Sequence, residues 1–99
     1  MLIHCVYFWL KPGISAADEA AYVKGAKSLL EIPSVKYGWV GKPAATDRPI
    51  IDRSYSYALV VVFENDAGHD EYQVHPIHDI FRDTYESYWN QVKIYDSMG

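Results

Sequence analysis

Ile3-His4-Cys5-Val6-Tyr7-Phe8-Trp9-Leu10 is an apolar and aromatic run broken only by one imidazole. β-Branched and aromatic side chains fit the pleated surface of a strand, and the run has strand length. Alternation puts His4, Val6, Phe8 and Leu10 on one side, and Ile3, Cys5, Tyr7 and Trp9 on the other. Both sides are apolar, so this is a central strand whose two faces both need cover. Lys11-Pro12-Gly13 stops it, because proline lacks the N–H a ladder requires.

Working outward, Ser15-Ala16-Ala17-Asp18 resembles a capping box with Asp18 in place of the usual Glu. The helix it opens carries Tyr22, Val23, Ala26, Leu29 and Leu30 on one face, and Pro33 ends it. Val35 to Val40 reads as a second strand weakened by Gly38, and Gly41-Lys42-Pro43 stops it. A loop follows from Ala44 to Ser54; its Ile50 and Ile51 are expected to pack on the body or across a subunit contact. Tyr55 to Phe63 is a third strand, with Tyr57, Leu59, Val61 and Phe63 opposite Ala58, Val60 and Val62. Asn65 or Asp66 caps a second helix. That helix breaks at His75-Pro76, since the residue before proline leaves helical geometry. It resumes from Pro76 to about Trp89, with Ile77, Phe81, Tyr85 and Tyr88 or Trp89 on one side. Val92 to Tyr95 is a short last strand. The order β-α-β-β-α-β predicts an α+β, ferredoxin-like fold: a four-stranded antiparallel sheet with two helices on one face.

The 99 residues support one domain, spanning 1–99. Two helices cover only one face of such a sheet, so the other would be an apolar patch that monomers rarely tolerate. A second copy is the expected cover, making a homodimer about a two-fold axis. The net charge is -4, with thirteen acidic against nine basic residues. That balance argues against nucleic acid and against anionic membranes as partners. The single Cys5 cannot form an internal disulfide, and its apolar setting suggests a buried core thiol. The N-terminus has no basic leader, and the first apolar run is far shorter than a membrane span. The cytoplasm is the expected location.

Tyr72-Gln73-Val74-His75-Pro76-Ile77-His78 carries the chemistry. A neutral imidazole can take a proton near neutral pH, and a phenol can donate to a developing oxyanion. The kink can turn Tyr72 and His78 toward one cavity, and Asp79 stands beside His78 as a candidate orienting group. His75 and His78 stand three apart, but a zinc site needs more ligands and Pro76 disturbs the spacing. His69 is only loosely placed to help. No metal or cofactor is expected, and His75 is expected to secure the kink.

A first strand that opens with His4 and ends at Leu10-Lys11, a third that ends Val-Phe-Glu, and Tyr72-x-x-His75-Pro76-x-His78 followed by Phe81 together resemble the stress-responsive dimeric α/β-barrel (Dabb) domain family. The resemblance covers essentially the whole chain. It implies a monomer that pairs into a dimeric eight-stranded α+β barrel with helices outside. The family includes plant polyketide cyclases of the olivetolic-acid type. These catalyse an intramolecular aldol condensation of a linear poly-β-keto substrate without a cofactor, in a pocket between sheet and helices. By resemblance, Tyr72 and His78 fall on the catalytic tyrosine and histidine, His4 on a pocket histidine and Trp89 on a pocket aromatic. Tyr57 stands where those cyclases have another pocket histidine. The residues agree with such a pocket: Val6 and Phe8 share a side of the first strand, Phe81 would join them, and the helix face of Tyr22, Val23 and Ala26 would form the roof.

Two functional readings follow. One is a cofactor-independent enzyme that enolises a small carbonyl compound, with His78 as general base, Tyr72 as hydrogen-bond donor and His4 as a further candidate donor. The other is a non-catalytic dimeric stress-response or ligand-binding domain. They differ in whether Tyr72, His78 and His4 converge on a reachable cavity, or whether Phe81, Tyr85 and Trp89 fill that space.

Overall fold

β1 (Leu2–Leu10) lies between β3 (Tyr57–Phe63) and β4 (Trp89–Met98), and β2 (Tyr37–Gly41) flanks β3. The computed structural model describes all 99 residues. Every pairing is antiparallel. With α1 (Ala16–Ser28) and the broken pair α2 (Asp66–Val74) and α3 (Pro76–Tyr85) packed on one face, the order β2-β3-β1-β4 is ferredoxin-like.

Local chemistry sets the helix ends. Ser15 Oγ accepts from the Asp18 N–H at 3.1 Å and caps α1, while Asp18 and Glu19 place negative charge at its positive end. Asn65, not Asp66, caps α2 by accepting from the Gly68 N–H at 3.0 Å. His75 ends α2 in an extended conformation, and its Nδ1 accepts from the Ile77 N–H at 3.1 Å to cap α3. One imidazole thus stabilises both sides of the break, with Pro76 in the first turn of α3, where a missing N–H is harmless. Helices α1 and α3 pack closely at Gly25, where a methyl group would collide with the Tyr85 ring. The Tyr85 hydroxyl crosses to donate to the Ala21 carbonyl at 2.9 Å.

The core lies between this helical layer and the covered face of the sheet. Val6, Phe8, Tyr57, Leu59, Val61 and Phe63 from the strands meet Tyr22, Ala26, Leu29, Tyr72 and Phe81 from the helical side. His4 is the one polar residue among the buried set.

Several element bounds differ from their sequence expectation: α1 ends at Ser28 in a 3-10 turn, Leu29–Glu31, and β3 begins at Tyr57 rather than Tyr55. Helix α3 stops at Tyr85 and a single 3-10 turn, Glu86–Tyr88, precedes β4. Strand β4 is ten residues long rather than four and pairs along the whole of β1, with a bulge at Trp9/Leu10. Asn90, Gln91, Lys93, Asp96 and Ser97 obscure it in the sequence, because an edge strand gains its ladder from the backbone without needing apolar side chains. Strand β2 begins at Tyr37, because Val35 is still held in a turn by the Ile32 carbonyl.

The uncovered face carries the odd-numbered side of β1. Cys5 lies there half-buried, not in the core, because strand alternation puts it opposite His4 and Val6. On the same face Tyr37 is 65%, Trp39 55% and Tyr95 60% exposed. Ile50 is 83% exposed, so it does not pack on the body of this chain. No helix is long and apolar enough to cross a membrane.

Candidate functional site

A cavity of about 240 Å³ opens between the covered sheet face and the helices. Its floor is His4, Val6 and Phe8 of β1, with Leu59, Val92 and Ile94 from the flanking strands. Leu29, Tyr72, His78 and Phe81 approach from the helical side, Trp89 contributes from the start of β4, and Gln73 and Arg82 complete the lining. The character is apolar with a few convergent polar groups, as small-molecule sites usually are.

The helix break places the two principal side chains. Tyr72 lies in the last turns of α2 and His78 in the first turn of α3. The change of direction at His75 brings their rings edge to face with centroids 5.0 Å apart. Tyr72 is almost fully buried and packs against Phe63 at 5.1 Å and His4 at 5.8 Å. Burial alone raises the pKa of its hydroxyl, so the phenol stays protonated and available as a donor. His78 Nδ1 is buried without a hydrogen-bond partner in the chain. Such an atom carries a desolvation cost that a ligand can relieve. Burial, reinforced by the Arg82 guanidinium, lowers the His78 pKa below its usual 6.5 and keeps the imidazole neutral at neutral pH. Asp79 does not orient it; its carboxylate lies 3.6 Å from Arg82.

His4 is held differently. Asp96 sits directly across from it on β4, and His4 Nδ1 lies 2.5 Å from the Asp96 carboxylate. Burial outweighs that carboxylate and lowers the His4 pKa. A carboxylate only accepts, so the neutral ring carries its proton on Nδ1 and leaves Nε2 as a lone pair. His4 is therefore an acceptor at its free nitrogen, not the donor that the sequence suggested.

Three of the expected lining residues lie beside the cavity rather than on it. Tyr22 is fully buried in an aromatic cluster with Phe8 and Phe81, and its hydroxyl accepts from Trp89 Nε1 at 2.9 Å. Val23 packs at the margin of the core. The Tyr57 hydroxyl points to Glu19, donating to its carboxylate at 2.6 Å. Its pKa is pushed up to about 12 by burial and that carboxylate. Tyr85 packs against Tyr22 and Tyr88 and leaves the cavity open. Sequence reasoning missed Leu29, Gln73, Arg82 and the β4 pair Val92 and Ile94 as lining residues. Val92 and Ile94 share one side of β4 by alternation, and the bulge that leaves Asn90 unpaired brings Trp89 to that same side.

Two neutral histidines, His4 buried and His78 half-buried, tie stability to pH. Unfolded, His4 and His78 titrate near 6.5; folded, each titrates lower, so the unfolded chain binds more protons in the interval between. The groups acting on them are Asp96 and His69 for His4, and Arg82, Asp79, His4 and His69 for His78. The contribution is whole above about pH 6.5 and is lost as pH falls through the folded pKa values. Thermal melts are expected to show Tm falling between about pH 7.5 and about pH 5. A Tm flat over that range would contradict the neutral assignment.

The stress responsive A/B barrel domain family profile matches residues 2–98. Olivetolic acid cyclase from Cannabis sativa is 28% identical over 94 residues, covering 94% of this chain and 91% of the cyclase. A dimeric ferredoxin-like protein of unknown function from Thermobifida fusca superposes with a TM-score of 0.80 at 17% identity, covering 99% of this chain and 90% of that one. Hydroxynitrile lyase from Passiflora edulis also gives 0.80, at 16% identity, over 97% of this chain and 90% of the lyase. At such identities the two structural likenesses speak to the fold.

Proposed function

The chain belongs to the stress responsive A/B barrel domain family, and on that premise we propose that it is a homodimeric domain that binds a small carbonyl compound and moves protons on it without a cofactor. His78 is the general base and Tyr72 the hydrogen-bond donor to the oxyanion that forms. The carrying observation is their placement: two rings 5.0 Å apart on one apolar cavity. A neutral base and a protonated phenol are the forms that enolisation needs. His78 removes a proton from the carbon beside the carbonyl, and Tyr72 stabilises the negative charge that moves to oxygen. Val6, Phe8, Phe81 and Trp89 hold the apolar body of the ligand and exclude water. The resemblance to a cyclase supports this chemistry, and the hydroxynitrile lyase supports the fold as a host for it.

The homodimer follows from the uncovered face. Ile3, Tyr7, Trp9, Val60, Val62, Tyr37 and Trp39 form an apolar surface too broad for a lone domain. A fold neighbour described as dimeric supports the same arrangement.

An aryl methyl ketone such as acetophenone, incubated with the protein in D₂O, tests the chemistry by NMR. Accelerated deuterium entry at the methyl carbon is expected. Tyr72→Phe keeps the packing and removes the donor, so the rate should fall by roughly 10²- to 10³-fold with ketone binding retained. An unchanged rate would remove Tyr72 from the mechanism.

The cavity's size favours the second reading, a non-catalytic ligand-binding domain. At about 240 Å³ it falls below the roughly 300–1,000 Å³ of most small-molecule sites, too little for an enzyme acting on an extended substrate. Native mass spectrometry of the purified protein separates the two: a dimer releasing a bound compound on denaturation identifies the ligand class, and a ligand without exchangeable carbonyl protons would favour binding alone.

A further inference from the structure

Three side chains from distant parts of the sequence meet at one end of the cavity wall. His4 comes from β1, His69 from α2 and Asp96 from β4. One potential ligand atom from each lies within 4.8 Å of the other two. The two imidazole centroids are 4.8 Å apart with rings tilted by 55°. Phe63 packs against both rings, at 6.5 Å from His4 and 5.5 Å from His69. Gln73, one turn on from His69, touches its Nε2 at 3.0 Å and restrains the ring. His4 is 3% exposed, while the Asp96 side chain is 43% exposed. The group therefore has a buried, packed base and an open, solvent-facing rim.

We propose that His4, His69 and Asp96 form a binding site for a divalent transition-metal ion, with Zn²⁺ as the best match. Two imidazoles and one carboxylate are a ligand set that zinc takes in sites with an open fourth position. Mg²⁺ and Ca²⁺ prefer oxygen ligands throughout, and this set is two-thirds nitrogen. Bonds of about 2.0–2.2 Å require ligand atoms to stand somewhat over 3 Å apart. The 2.5 Å His4–Asp96 pair must therefore open, and Asp96, at the exposed rim, is free to move. The packed rings supply the preorganised half of the site. Ligation through His69 Nδ1 puts the ring proton on Nε2, so the Gln73 amide, now meeting that atom with its nitrogen, must turn its oxygen to it, the acceptor that supports a ligating histidine. The remaining position faces the rim and would hold water or an oxygen of an incoming ligand.

This site uses neither Tyr72 nor His78 and does not rest on the proton-transfer reading; of its three ligands only His4 lines the cavity, and the supporting Gln73 lies at the cavity edge. Its test reads metal binding, not turnover. The full-length protein, stripped with chelator, is titrated with ZnCl₂ by calorimetry and with CoCl₂ by visible absorption. A single equivalent per chain is expected, with the cobalt spectrum of a four-coordinate nitrogen and oxygen site. His69→Ala should weaken binding by roughly tenfold or more, and Asp96→Asn, which keeps an acceptor for His4, should do the same. Cys5→Ser should leave it unchanged. Circular dichroism on each variant separates a lost ligand from a lost fold, and either ligand variant that folds decides the matter. Absence of stoichiometric binding, full affinity in folded His69→Ala or Asp96→Asn, or a thiolate signal that disappears with Cys5→Ser would each overturn the site.

Discussion

Val60→Asp is expected to split the protein into monomers. Val60 lies in a row that crosses the uncovered face, with Trp39 on one side, Cys5 on the other and Tyr95 beyond. It is half-buried within the single chain, and in a face-to-face dimer it would be sealed. An unpaired carboxylate in that position costs roughly 3–5 kcal/mol. At about 1.4 kcal/mol per tenfold, the dissociation constant should rise by at least roughly a hundredfold. Sedimentation equilibrium at micromolar concentration reads the result directly. Wild type sedimenting as a monomer, or a Val60→Asp protein that stays dimeric, would mean that something other than this face joins the subunits. The change touches no cavity residue, so ligand binding by the monomer would also report whether the cavity needs the partner.

The second large effect is at His78. His78→Ala should bring deuterium entry into an aryl methyl ketone close to the uncatalysed level, a loss of roughly 10²- to 10⁴-fold. Ketone binding should persist, because the apolar floor and Phe81 and Trp89 remain. His78→Gln serves as a companion, since it keeps a polar side chain of similar reach but cannot act as a base near neutral pH. If both variants exchange protons at the wild-type rate, His78 is structural and the domain is a binder. If binding collapses with the rate, the side chain holds the ligand rather than working on it. The lowered pKa adds a check: the wild-type rate should hold as pH falls to about 6.5 and decline only below it, as the imidazole takes up a proton.

The fold was legible in the sequence because its central strands announce themselves. The two-sided apolar runs at Ile3–Leu10 and Tyr57–Phe63 require a middle position and cover on both faces, which leaves few arrangements. The site was legible in part. The Tyr72 and His78 placement follows from Pro76, a residue whose effect on the backbone is local and strong. Tyr57 was harder. It shares a face with Leu59, as alternation requires, yet its hydroxyl is drawn to Glu19, a residue 38 positions away. The role of His4 depends on Asp96, and no local pattern links two residues 92 positions apart. Strand β4 was understated for the same reason: its ladder with β1 is a backbone property that polar side chains hide.

That long pairing also orders events in time. Leu2 finds its β4 partner only at Met98, and the Met1 amine and carbonyl bond to Gly99. Contacts that close loops of this length bear their entropy before any return, and folding slows accordingly. β1 is made before β4 and keeps one edge open until β4 has been synthesised. A bare edge of that kind invites pairing with other nascent chains. β4 is thus a latch: its pairing closes the edge that β1 would otherwise leave open.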